Sequence, residues 1–433
     1  MKKKAALISM AAFASASAFA MPEVEDLDVS QSKDRVVTIS FNLTERAIVT
    51  MDIATNGVSI GAENYQTLRE PLSPKDQFPA NRIMDAGEHV WMWRPSKEWP
   101  GFNFSNNEFK VTVQAWSFDA PPDYMVIDYN VRSNAMFYAK AEDIPGGIKT
   151  VSDPNNIDEE TLAILKSDEY RLTKIILRKI PAAGVKWRMG SPEDEDYRRD
   201  DETLHYVTLT NDYYVAIYPL TFAQCKRFFS TSDDNKVLTW ISPKNNQSYV
   251  NARGDIESYC WPENGNDVSP DSGFGNMRAR TGLRFDFLTE AEWEYACRAG
   301  TGDAWNGMTE DEVCWHELSS AAANHTVGTK LPNAWGLYDM HGLVNEWVLD
   351  QYGPYPEESV VSPVGVTTNA NMRILRGGVI NIRKNTSSSY KSCYSTRSAF
   401  RHSFNPAKGQ STAPNPFGVR VSCPASLPEW MRK

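Results

Sequence analysis

The sequence predicts an α+β protein in two parts: an all-β sandwich, then a larger domain with little regular secondary structure. Three observations carry this expectation. Between residues 22 and 145, apolar and polar residues alternate in short runs, the period of half-buried strands. From 181 to 425, aromatics and turn residues are frequent and long periodic segments are few. The two clear helix starts in that stretch are capping boxes, in which a Thr and a Gln or Glu three residues on satisfy each other's backbone N–H.

In chain order, Met1-Lys2-Lys3-Lys4 opens a short apolar run ending in Ala18-Phe19-Ala20. A basic start, a run too short to span a bilayer and small residues at the end describe a signal peptide over residues 1–20. The expected location is periplasmic or secreted, with no stable membrane span. Val37, Ile39, Phe41 and Leu43 then alternate with polar residues, and Ala47, Val49, Met51 and Ile53 follow after a short turn, predicting a hairpin. His89 to Trp93, Phe109 to Ala115 and Met125 to Tyr129 are further strands, giving an immunoglobulin- or fibronectin-like sandwich over 22–145. Trp91, Trp93 and Trp99 read either as sandwich core or as a sugar-stacking platform. Residues 146–180 read as a linker, with a short helix over Glu159 to Ser167 and a strand over Thr173–Ile180. In the last part, Thr221 with Gln224 and Thr289 with Glu292 form the two capping boxes.

Composition narrows the function classes. Charged residues make up 23% and hydrophobic residues 41% of 433, which excludes disorder over most of the chain. The net charge of −10 argues against a nucleic-acid partner, because phosphate binding needs a basic field. The six cysteines (225, 260, 297, 314, 393 and 423) contain no C-x-x-C, so zinc-ribbon readings fail. An even count in an exported chain predicts disulfides, with connectivity left open. The acidic run Glu193–Asp196 with Asp200–Glu202 reads as a solvated loop. There is no G-x-S-x-G and no G-x-x-x-x-G-K.

Several ordered motifs carry a family resemblance. Lys179-Ile180-Pro181-Ala182 leads to Trp187-Arg188-Met189-Gly190-Ser191, and Asp201-Glu202 precedes His205-Tyr206-Val207-Thr208-Leu209. Then come Tyr213 to Gln224, Phe287 to Ala296 (FLTEAEWEYA), Pro332 to Gly342 (PNAWGLYDMHG), Arg376-Gly377-Gly378, Arg397 to Arg401 and Phe417 to Arg420. Residues 172–423 thus resemble the formylglycine-generating enzyme (sulfatase-modifying factor) family. The resemblance implies a C-type-lectin-related fold over 181–425 with few regular elements and long ordered loops. It also implies oxidation of a sulfatase cysteine by O2 at a copper(I) held by two cysteines spaced C-x4-C. Cys393, just before Arg397-Ser398-Ala399-Phe400-Arg401, matches the second cysteine, but the first position is Ser388 counted back from it, or Ile382 counted forward from Arg376-Gly377-Gly378. A hydroxyl is a poor ligand for Cu(I), so copper is doubtful. The preferred expectation is a noncatalytic binding or structural module for a peptide, glycan or partner protein. The alternative is an oxygen-dependent oxidase using Cys393. Recognition is placed at Tyr390, Tyr394, Arg397 and Arg401, in a loop rich in polar and basic residues. Calcium, the family's other cofactor, is implied at Glu346 and Asn345, with Leu343 where the family has its asparagine. The competing account of Glu346 is a hydrogen-bonded structural acid. Cys297 matches a family disulfide cysteine whose partner position is Ser398, and Cys260–Cys423 or Cys297–Cys393 are alternative replacements, neither of which the sequence decides.

Overall fold

A computed structural model describes residues 21–71, 78–98, 109–131, 135–151, 157–229, 240–245, 247–255, 267–315, 325–364, 372–378, 392–406 and 417–432. The signal-like residues 1–20, Trp99, Cys260, Ser388 and Tyr390 lie outside them. The architecture is mixed α and β.

The first body holds β1 (Val24–Gln31), β2 (Val37–Leu43), β3 (Ala47–Thr55), β4 (Val58–Ser59), β5 (Arg82–Met84), β6 (Gly87–Trp93) and β7 (Phe109–Trp116). One sheet runs β1-β2-β6, and the other runs β4-β3-β5 with β7 also on β3. All these pairings are antiparallel. In β2 every second side chain is buried, as the alternation predicts. Both sheets feed one apolar cluster containing Ile39, Phe41, Val49, Ile53, Trp91 and Trp93. Trp91 and Trp93 are fully buried, so they are core and not a sugar platform. β3 is buried on both faces: Ile48 turns away from that cluster and joins the core of the second body, with Ile83 and Trp116 packed alongside.

The second body carries β8 (Tyr124–Asp128), β9 (Ala135–Tyr138), β10 (Lys174–Ile180), β11 (Lys186–Met189), β12 (His205–Thr208), β13 (Tyr213–Ala216), β14 (Cys314–Trp315) and β15 (His341–Gly342). β16 (Asn345–Gln351), β17 (Val360–Val361), β18 (Arg373–Arg376), β19 (His402–Phe404), β20 (Phe417–Gly418) and β21 (Ser422–Pro424) complete it. Its central sheet runs β21-β13-β10-β8-β9. This moves a boundary. The strand expected over Met125 to Tyr129 pairs with β10 of the second body, and β10, placed by sequence in a linker, is the middle strand of that sheet. Strand periodicity reports a half-buried face but does not say which sheet supplies the partner. The helix Glu159–Ser167 forms over the expected residues, capped by Asp158, whose carboxylate accepts from the Thr161 N–H at 2.7 Å. Two smaller sheets, β11-β12-β17 and β19-β18-β16-β20, flank the helix Glu290–Arg298. Among the described residues, no helix is long and apolar enough to cross a membrane.

Candidate functional site

The helix Glu290–Arg298 organises the site. Its capping box forms as expected: Glu292 Oε2 accepts from the Thr289 N–H at 2.8 Å, and Thr289 Oγ1 accepts from the Glu292 N–H at 3.2 Å. Glu290 and Glu294, four residues apart, lie on one face of the helix, and both are buried. Burial alone would raise a carboxylate's pKa, but Arg298 and Arg376 outweigh it and hold Glu294 below its ordinary value. Glu294 accepts from the Gly190 N–H at 2.9 Å and from Arg298 Nε at 2.8 Å, and it pairs closely with Arg376. Gly190 has φ 95°, and an added Cβ would stand 2.6 Å from the Thr203 carbonyl oxygen, so this turn requires glycine.

Arg401 grips Glu290 through Nε at 2.7 Å and Nη2 at 2.9 Å. Its Nη1 donates to the carbonyls of Asp201 (3.1 Å) and Gly353 (2.8 Å). The guanidinium lies 3.8 Å from the Tyr355 ring centre, and the Tyr355 hydroxyl donates to Glu290 at 3.0 Å. Burial works against the charge on Arg401, yet Glu290 and Tyr355 hold its pKa above the ordinary value. The face of this cluster toward solvent is a cavity of about 690 Å³, with Met189, His205, Tyr355, Val360, Asp350 and Arg401 in its wall.

Arg397 is fully buried and bidentate to Glu202 at 2.7 and 2.9 Å, with Glu195 at 2.5 Å. The solvated-loop reading holds for Glu193, Asp194, Asp196 and Asp200, which are exposed, and is corrected for Glu195 and Glu202, which turn inward to Arg397. Tyr394 stacks on the half-exposed Tyr197, whose carbonyl accepts from Arg397 at 2.8 Å. Of the four residues assigned to recognition, Arg401 borders the cavity, Arg397 and Tyr394 sit together beside Tyr197, and Tyr390 lies outside the described residues.

Glu346 is fully buried. Its carboxylate accepts from Arg420 Nε at 3.0 and 2.9 Å and from Trp293 Nε1 at 2.7 Å. The positive charge a calcium would bring is already supplied by Arg420. Asn345 and Glu346 are consecutive on β16, so their side chains leave opposite faces and cannot converge on one ion. The calcium expectation at this pair does not fit, and Glu346 is a structural acid.

The cysteines also correct the sequence reading. Cys225, Cys297 and Cys423 are buried free thiols, so neither Cys260–Cys423 nor Cys297–Cys393 is bonded. Cys314 is a buried thiol that donates to Thr396 Oγ1 at 3.5 Å. An even count says how disulfides could balance, not whether two Cβ vectors meet. Cys297 lies 3.8 Å from Ser398 Oγ and 3.6 Å from His341 Nε2. Burial pushes the Cys297 thiol up to about 12 and the His341 imidazole down to about 4, the reverse of the thiolate–imidazolium pair that a nucleophile needs. His341 is held by Asn306 Nδ2 at 2.8 Å and by the Thr396 carbonyl at 2.8 Å. Cys393 lies in the short 3-10 helix Ser392–Thr396.

Sequence reasoning named Arg397 and Arg401 but missed their partners Glu202 and Glu290, and it missed Glu294 with Arg376. The one local signal was the pair of acids four apart in Glu290-Ala291-Glu292-Trp293-Glu294. Contacts more than a hundred residues apart leave no such mark.

With this geometry in place, comparison with known proteins is informative. Residues 179–422, more than half the chain, match the family model of the sulfatase-modifying factor enzyme 1-like domain. A formylglycine-generating enzyme of Streptomyces coelicolor is 35% identical over 108 residues, 21% of this chain and 34% of that protein. A protein named serine/threonine-protein kinase pkn1 from Chlamydia pneumoniae is 26% identical over 271 residues, 59% of this chain and 39% of its own length. The chain thus spans well under half the length of these curated relatives. Among solved structures, PvdO from Pseudomonas aeruginosa aligns with a TM-score of 0.45 and 22% identity, over 58% of this chain and 94% of that one. The protein belongs to the sulfatase-modifying factor (formylglycine-generating enzyme) domain family.

Proposed function

We propose that this protein is an exported, noncatalytic member of its family. Its second body, on a C-type-lectin-related scaffold, serves as a binding or structural module, and an immunoglobulin- or fibronectin-like sandwich is attached in front. The observation that carries this reading is position 388, where the copper pair's first cysteine is replaced by serine. Thiolates are soft donors that select Cu(I), and a serine hydroxyl does not replace one. The rest of the domain supports the reading. Cys297 is a buried neutral thiol, and Arg397 and Arg401 are committed to internal carboxylates. The Chlamydia relatives carry a kinase name while sharing this domain over part of their length, which agrees with a domain used in proteins of different activity. The signal-like residues 1–20 support export to the periplasm or beyond the cell as part of this reading. Its ligand is a peptide, glycan or partner protein.

The test is a copper(I) titration of the full chain against a chromophoric chelator. The reading expects the chelator to keep the metal. A high-affinity copper site that vanishes in Cys393→Ser would favour the oxidase instead.

A further inference from the structure

We infer that the cavity beside Tyr355 is a binding site for a small, neutral, largely apolar molecule that carries one hydroxyl or N–H donor. The volume, about 690 Å³, is that of a pocket enclosing a whole small molecule. Most of the wall is apolar: Met189, Ala291, Val360 and Val364 with Pro354 and Pro363.

The polar groups in the wall decide what can enter. Arg401 looks like an anion receptor but is not one, because its guanidinium already donates to Glu290, to the Asp201 carbonyl and to the Gly353 carbonyl. Both Glu290 oxygens are engaged by Arg401, and one of them also accepts from Tyr355. Asp350 adds a further carboxylate, which accepts from the Glu290 N–H at 2.7 Å. An anionic ligand would therefore meet acid without an available cation. A sugar, with a hydroxyl on nearly every carbon, would strand hydroxyls against valine, proline and methionine.

Among the described wall residues, His205 offers a ring nitrogen to a ligand. His205 is 5% exposed, and its ring packs on Tyr355 with centroids 4.7 Å apart. Its Nδ1 lies 2.9 Å from the Thr203 carbonyl oxygen. A carbonyl only accepts, so Nδ1 carries the hydrogen, and in the neutral ring Nε2 presents a lone pair. No hydrogen bond reaches that Nε2 from the described residues. An acceptor without a protein donor, in a mostly apolar wall, matches a ligand that brings one. The inference goes beyond the binding role proposed above: it adds a separate site for a ligand class other than a peptide, glycan or partner protein.

The test uses two dyes with one skeleton. N-phenyl-1-naphthylamine is neutral with a single N–H, and 1-anilinonaphthalene-8-sulfonate adds a negative charge. Fluorescence titration of the full chain should show saturable binding of the neutral dye, with the sulfonate at least about tenfold weaker. His205→Phe keeps a ring packed against Tyr355 and removes the acceptor. Val361→Trp, at a 65% exposed position in the cavity wall, narrows the space with little risk to folding. Each should weaken the neutral dye by about tenfold, with the thermal melt unchanged in Val361→Trp and lowered in His205→Phe, which also loses the Nδ1–Thr203 bond. No binding of the neutral dye, equal binding of both dyes, or undiminished binding in Val361→Trp overturns the proposal. Formylglycine formation by the same chain would remove the noncatalytic reading and leave the dye result standing, so the two failures are distinguishable.

Discussion

The two bodies are held together by different physics. Among the described residues from 21 to 118, no charged side chain is buried, and the core is aliphatic and aromatic. In the second body Arg171, Arg253, Arg376, Arg397, Arg401 and Arg420 are all buried, and each is paired with a carboxylate. A domain with short strands and long loops has few ladder hydrogen bonds to fix its chain, and bidentate arginines tie distant loops together with defined geometry. The difference shows where sequence patterning is informative. An apolar core repeats along the chain, whereas an ion-pair core joins residues that share no local pattern.

The sharpest way to break this comparison is to remove one charge from the second core. Arg420→Met leaves the fully buried Glu346 without its cation and should cost about 3–5 kcal/mol, read as a lower urea midpoint for the second body. A loss below about 1 kcal/mol would show that the pair is not what holds that core. Next in size is a gain. Ser398→Cys places a second sulfur where Ser398 Oγ stands 3.8 Å from Cys297 Sγ, restoring the pairing that the family resemblance implies. Under oxidation the variant should lose two hydrogens by mass and gain about 2–4 kcal/mol. A persistent pair of thiols would contradict the placement of Cys297. In the first body, Ile39→Val should cost only about 1 kcal/mol, because an apolar core loses one methyl's burial and no partner is stranded.

The smallest effect depends on pH. Asp339 is buried, with Oδ2 accepting from the Gly328 N–H at 2.7 Å and Oδ1 without a partner among the described residues. Burial pushes it up to about 6 from an ordinary 3.8. The folded state therefore binds this proton more tightly than the unfolded chain, and its contribution to stability falls as pH rises from about 4 to about 6. Asp339→Asn removes that loss and should gain about 1 kcal/mol at pH 7, shrinking toward pH 4 in chemical denaturation. His325 and His341, both held down to about 4 by burial, act in the opposite sense. They favour the folded state above the ordinary histidine value, and that contribution is lost as pH falls from about 6.5 to about 4. The variant should therefore be more acid-sensitive than the parent. A gain independent of pH would mean that Asp339 is not charged at neutral pH.

Legibility in the sequence follows the same division. The strands around Ile39, Met51, Trp91 and Val113 were readable, as were the helix starts at Thr221 and Thr289, because alternation and capping are local. The partner sheet of β8 was not readable, nor were the carboxylates facing Arg397 and Arg401, 195 and 111 residues away in sequence. Disulfides were expected from a count, and Cys225, Cys297, Cys314 and Cys423 are thiols. Calcium was implied at two consecutive residues that a strand directs to opposite faces.

The proposal that the family scaffold persists here without cysteine oxidation rests on the serine at position 388. Its most direct measurement is mass spectrometry of a cysteine-containing sulfatase-type peptide incubated with the full chain, copper(I) and air. An unchanged cysteine is the predicted result, and formylglycine that disappears in Cys393→Ser would contradict it.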